Sequence, residues 1–329
     1  MRSIFKIIGY LRFVLNQNQK QLKMRKIYTI GETVLDILFK NNMPITAKAG
    51  GACLNSAVTL GRLNLPVYFI GEYGIDMVGN IIDNFLKENN VSTQYVYRYY
   101  GGKSSLALAF LNENNDASYD FYKIYPDKRL DIELPSLQHD DIVLFGSIYA
   151  VTPEVRQVLL EFINQANRKK AIVIYDPNFR KQHLHELQKL KPLILENFLH
   201  ADIVRGSNED FSFILGAKDA DEAYTEVSSC CKNLLYTANK TGVFIRSPLV
   251  NQTYPVIKID PVSTIGAGDN FNAGVVYSLF KYNIGHKDLM NLDEEMWRTI
   301  VMAAVQFATH VCMRYDNYIS DEFAMEYKL

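Results

Sequence analysis

The residues Gly266-Ala267-Gly268-Asp269 join three small residues to one carboxylate, just ahead of an apolar helical segment through Val275, Val276, Leu279 and Phe280. A turn of small residues entering a helix presents unpaired backbone N–H groups and the positive end of the helix dipole. Such a place holds an anion, most often a phosphate. A carboxylate there repels a resting phosphate, but it suits an acid that takes a proton from an incoming hydroxyl. Read in isolation, the same residues are a glycine-rich turn with an ordinary first-turn acid. What surrounds them separates the two readings.

The elements that must position this turn alternate. Residues 27–32 read as a short buried strand, 52–63 carry apolar residues at helical spacing, 66–71 return to strand, and 81–87 are helical. Strands at 142–145, 171–175 and 203–205 then alternate with helices at 155–167 and 187–197, and 254–259 reads as the strand before the turn. The pattern predicts an α/β fold: a doubly wound, mainly parallel sheet with helices on both faces. Between about 95 and 125 the helices drop out. Two strand-like runs, one through Leu106 and Leu108 and one through Tyr119 and Phe121, flank the polar turn Glu113-Asn114-Asn115-Asp116 and predict a small antiparallel insert. Ligands of such sheets bind outside the carboxyl ends of the strands. Asp36, the turn at 50–52, the run Asp176-Pro177-Asn178-Phe179-Arg180 and Asp269 all closely follow predicted strands, so they can converge on one cleft.

At 329 residues the chain suits one large α/β domain with a small appendage. A net charge of −1 gives no electrostatic case for nucleic acid or an anionic membrane. Cys53, Cys230, Cys231 and Cys312 lack paired metal spacing, which suits a reducing cytoplasm. Residues 1–24 stand apart. The apolar stretch up to Leu15 carries Lys6 and Arg12, is too short and charged to span a bilayer, and is followed by a polar run. Residues 1–24 are therefore expected to be an extension or a misassigned start, with 25–329 forming a single domain.

The turn continues as Asn270-Phe271-Asn272-Ala273-Gly274, and the whole run resembles the second motif of the PfkB/ribokinase family of sugar and nucleoside kinases. Upstream, Gly50-Gly51-Ala52-Cys53-Leu54-Asn55-Ser56-Ala57, continuing to Ile70-Gly71-Glu72-Tyr73-Gly74-Ile75-Asp76-Met77-Val78-Gly79, is similar to the family's first motif. Two motifs in the right order, over a likeness spanning about 27–315 of this chain, are far more specific than either alone. The resemblance implies a ribokinase-like fold whose inserted strands form a lid over the sugar. It implies ATP-dependent phosphorylation of a small sugar hydroxyl with Mg²⁺, and a homodimer paired through the lid strands. Asp269 would be the base, and the backbone of Gly266, Ala267 and Gly268 the anion hole. Asp36, Gly50, Gly51, Asn55 and Arg180 would face the acceptor, Thr237 and Gly242 the nucleotide, and Asp210 would hold a magnesium-bound water.

Several positions depart from the family pattern. Asp210 and Ser207 stand where relatives carry Glu and Asn, and Ser263 stands where they usually carry an Asp that helps bind a monovalent cation. Weak or absent potassium activation is expected from that change. Within the family, the middle of the chain resembles bacterial fructokinases, with Lys123 where that subgroup commonly has Arg. Fructose is the expected acceptor, with 2-keto-3-deoxygluconate, ribose or adenosine as alternatives. A catalytically weak sugar-binding regulator of the same fold is a rival. A dinucleotide-dependent oxidoreductase is a poorer one, since Gly31-Glu32-Thr33-Val34-Leu35-Asp36 is no G-x-G-x-x-G turn.

Overall fold

The computed structural model describes residues 25–111 and 117–329. The expected extension at 1–24 and the polar turn of the insert lie outside the described residues. A nine-stranded sheet forms the centre. Its first strand, β1 (Ile27–Ile30), is entirely buried and pairs in parallel with β4 (Val67–Gly74) on one side and β8 (Ile142–Gly146) on the other. Beyond β4 lies β5 (Ser92–Tyr99). Beyond β8 follow β9 (Ile172–Asp176), β10 (Ile203–Ser207) and β11 (Asn233–Ala238), all parallel. Two antiparallel strands, β12 (Gly242–Arg246) and β13 (Asn251–Tyr254), finish that edge. The strand order reverses at β1, and a ligand cleft opens at such a reversal.

Alternate side chains of the central strands enter two separate cores, as a period of two requires. Ile142, Leu144, Ile172 and Ile174 pack under α1 (Ala52–Arg62), α2 (Met77–Glu88), α7 (Ala267–Lys281) and α8 (Glu294–Cys312). Val143, Phe145, Val173 and Tyr175 pack under α3 (Pro153–Lys169), α4 (Leu187–His200), α5 (Asn208–Leu215) and α6 (Ala220–Val227). Burial on both faces explains why these strands read as unbroken apolar runs.

The lid differs from the expected insert. It is a four-stranded sheet in the order β3 (Met43–Gly50), β2 (Val34–Lys40), β6 (Lys103–Leu111), β7 (Ala117–Ile124). Two antiparallel hairpins meet through a parallel β2–β6 pair, so the sheet is mixed, and it is drawn from two stretches of chain. β5, at the start of the expected insert, belongs to the main sheet. β2 and β3 escaped notice because Asp36 interrupts one apolar run and Pro44 sits in the other, which an edge strand tolerates. Asp36 therefore lies within β2, not in a loop after β1, and β13 ends at Tyr254, leaving 255–260 without strand.

Asp76 explains the second half of the first motif. Its carboxylate accepts the Gly79 N–H at 2.7 Å, capping α2, and accepts both the N–H and the hydroxyl of Ser104 on β6 at 2.8 Å. One side chain thereby starts a helix and fastens the lid to the body.

Candidate active site

Helices α1 and α7 both begin on glycine. Gly51 and Gly266 adopt φ values of 133° and 79°, in the region open to glycine, and neither helix receives a side-chain cap. No side-chain cap takes up their first N–H groups, and in α7 the Ala267 N–H meets the Thr264 carbonyl at 3.3 Å. A Cβ on Gly266 would lie 2.8 Å from the Asn317 carbonyl oxygen, so the turn is pressed against the segment behind it.

Asp269 stands in the first turn of α7, nearly buried. Its carboxylate accepts a hydrogen bond from the Asn55 amide at 2.8 Å, and its carbonyl accepts one from the Ser56 hydroxyl at 2.7 Å. The two sequence motifs are thus joined directly, α1 to α7. Burial pushes the Asp269 carboxyl up to about 6, and the nearby Asp176 charge adds to the rise. The Asn55 hydrogen bond and the charges of Arg180 and Arg205 pull the other way. A carboxylate poised there is ionised at neutral pH yet basic enough to accept a proton.

Asp36 approaches the start of α1 from the lid. A Cβ on Gly50 would lie only 2.4 Å from one of its carboxylate oxygens, so the acid lies directly over the end of β3 that leads into α1. Burial alone raises it to about 6. The amide oxygen of Asn55 is buried and finds no partner among the described residues. A desolvated carboxylate beside Gly50 and an unpaired acceptor on the helix that follows suit the hydroxyls of a polyol.

Arg205, in the middle of β10, is a residue that sequence reasoning missed. It is buried beneath the turn: a Cβ on Gly268 would lie 2.7 Å from its guanidinium. It donates to Asp176 at 2.8 Å and to the Thr237 hydroxyl at 2.9 Å. Asn272 donates to the same Asp176 oxygen at 2.7 Å. An arginine buried within a parallel strand, after Ile203 and Val204, was the signal available in the sequence.

The remaining expected residues are placed unevenly. Thr237 joins the cluster through Arg205, and Gly242 sits beside it where the β11–β12 hairpin returns, pairing with Ala238. Arg180 is exposed beside the cleft, close enough to act on the charge of Asp269. Lys123 pairs with Glu32 at 2.6 Å, tying the lid to the loop after β1. Asp210 has another task. One oxygen accepts the Phe179 N–H, the other the N–H and hydroxyl of Ser207 at 2.6 Å, closing a capping box on α5. With three protein donors and 4% exposure, its carboxylate is a poor fit for a magnesium-bound water. Among the described residues no group of three or more acids, histidines or cysteines could hold a metal.

Residues 24–317 match the family described as pfkB family carbohydrate kinase. The chain belongs to that family. The carbohydrate kinase is 23% identical over 288 residues to the fructokinase of Vibrio alginolyticus, covering 87% of this chain and 91% of that one. Its fold matches a double mutant of the fructokinase of Vibrio cholerae O395 in fructose-, ADP- and potassium-bound form, with a TM-score of 0.80 at 20% identity over 93% and 99% of the two chains. It also matches aminoimidazole riboside kinase from Salmonella enterica, complexed with aminoimidazole riboside and an ATP analogue, with a TM-score of 0.78 at 20% identity over 92% and 99%. The ribokinase-like architecture and the sugar kinase class read from the two motifs both hold.

Proposed function

We propose that this carbohydrate kinase transfers the γ-phosphoryl group of ATP to a hydroxyl of fructose. The observation that carries the reading is the buried hydrogen bond between Asn55 and Asp269, which puts an acceptor-binding amide and a poised base against one uncapped helix N-terminus. Asp269 takes the proton of the attacking hydroxyl. The N–H groups of Gly266, Ala267 and Gly268 stabilise charge on the travelling phosphoryl group, where little covalent work is asked of the protein. Asp36, Gly50, Gly51 and Asn55 hold the acceptor, Arg180 flanks it, and Thr237 and Gly242 border the nucleotide. Magnesium would arrive on the nucleotide with its own waters, which requires no cage of protein ligands.

Fructose is favoured over ribose, 2-keto-3-deoxygluconate or a nucleoside because the curated relatives, including those of Vibrio alginolyticus and Rhizobium leguminosarum bv. trifolii, are fructokinases. The test is sugar-dependent ADP release across those acceptors, with Asp269→Asn as control. Fructose should give the highest kcat/KM. Equal turnover in the control would remove Asp269 from the mechanism, and absence of turnover with every acceptor would favour a regulator.

Ser263 hydrogen-bonds the Ile265 N–H at 3.2 Å, forming a local turn. Lacking a carboxylate there, the enzyme should show less than about a twofold difference in initial rate between potassium and a bulky organic cation, the scale of a weak surface charge effect. The lid edges β3 and β7 expose Met43, Ile45, Tyr122 and Ile124. Pairing between two copies along these edges would cover them, so a homodimer is the proposed assembly. No described helix is long and apolar enough to cross a membrane. All four cysteines are free, which fits a reducing cytoplasm.

A further inference from the structure

Lys48 lies on β3 directly across from Asp36 of β2. Its ammonium leaves the lid and donates to the Tyr315 carbonyl at 2.9 Å and the Asp316 carboxylate at 2.8 Å. These two residues belong to the stretch that backs the anion turn. At one end of that stretch, the Cys312 carbonyl accepts the Val262 N–H at 2.8 Å and the Ser263 N–H at 3.3 Å. At the other, the Asn317 carbonyl accepts the Asn270 amide at 2.7 Å and presses on Gly266. Residues 312–317 are thus clamped to both flanks of the turn, and Lys48 grips their middle. Arg314 stays 3.9 Å from Asp316, so Lys48 is the closer cation.

We infer that Lys48 is a positioning residue for phosphoryl transfer, coupling the acceptor-side lid to the backbone of the anion turn through Asp316. The inference rests on the kinase reading above. The pair is partly solvent-exposed, with side chains 23% and 39% accessible. Exposed pairs of this kind contribute about 0–1 kcal/mol, too little to explain the contact as a stability element. Such a weak tie costs little to make or break. Because Lys48 and Asp36 share one strand pair, any shift of β2 and β3 on filling the acceptor site reaches 312–317, and through Asn317 reaches Gly266. Other polar ties of the lid, Ser104 to Asp76 and Gly74, Lys103 to Tyr99, and Lys123 to Glu32, lead to α2, the main sheet and the β1 loop instead.

The test is steady-state kinetics of the full chain for Lys48→Met, Asp316→Asn, their double variant and Lys48→Arg. Lys87→Met is the control, since it breaks an exposed pair with Asp83 within α2, remote from the turn. Lys48→Met and Asp316→Asn should each lower kcat about tenfold with the sugar KM nearly unchanged, the signature of a lost alignment felt only at the transition state. The double variant should be no worse than either single one, Lys48→Arg should retain most of the wild-type kcat, and Lys87→Met should match wild type. If Lys48→Met fails to fold, Asp316→Asn reads the same coupling. A kcat for both variants within about twofold of wild type, or a loss confined to sugar KM, would overturn the inference. A wild-type chain with no sugar-dependent ADP release would instead overturn the kinase reading on which it rests.

Discussion

Helices α5 and α7 each carry an aspartate at the third position of the first turn, Asp210 and Asp269, and surround it with opposite kinds of partner. In α5 the cap residue is Ser207, whose hydroxyl and N–H engage Asp210 in a closed box that also holds the Phe179 N–H. In α7 the cap residue is Gly266, which offers no side chain, and Asp269 turns to Asn55 on another helix. Burial raises both carboxyls, so burial does not separate them. The partner does. Asp210 is taken up by its own cap, whereas Asp269, above a glycine cap, meets a donor from another helix, which suits the proposed base.

Substitutions at the two helix starts should part accordingly. Asp269→Asn should cost about 10²–10⁴ in kcat, the usual worth of a general base. The same change should raise the melting temperature at pH 8. A carboxyl whose folded value is raised to about 6 binds its proton more tightly folded than unfolded, so its ionised form opposes folding above that pH, by up to about 3 kcal/mol. Thermal melts at pH 8 and kinetics on the same preparation check both halves.

Gly268→Ala should cost about 10² in kcat, because the new Cβ meets the Arg205 guanidinium at 2.7 Å and displaces the turn by a fraction of an ångström. Paired replacement of Gly268 by Ala and Arg205 by Met, which makes room, should recover less than half of that loss if Arg205 also holds Asp176 and Thr237 in place. The smallest effect belongs to the other helix. Ser207→Ala should destabilise by about 1 kcal/mol, as cap losses do, while kcat stays within about twofold of wild type. Denaturant melts with ADP-release kinetics decide it.

Much of this contrast was legible in the residues themselves. The α/β core was readable because its strands are buried on both faces and its helices carry apolar residues at regular spacing. Asp269 and its turn stood out because three tiny residues rarely precede an acid without a reason in the backbone. The lid was only half legible: 103–124 alternates clearly, but β2 and β3 depend on β6 and on α2 for burial, so neither shows its period alone. Arg205 and the cap role of Asp210 were hidden for a different reason. Both are fixed by partners distant in the chain or by the competition between a cap and a ligand, which local pattern does not rank.

The most direct test of Asp269 as the base is the pH dependence of kcat/KM for the sugar, measured on wild type and on Asn55→Leu. Wild type should lose about tenfold in rate per pH unit below about 6 and stay level from 6.5 to 8, as the base form disappears through the raised value. Asn55→Leu should move that acid limb to higher pH, because the lost hydrogen bond had favoured the ionised carboxylate. A wild-type profile level down to pH 5, or an acid limb that stays put in Asn55→Leu, would contradict the account.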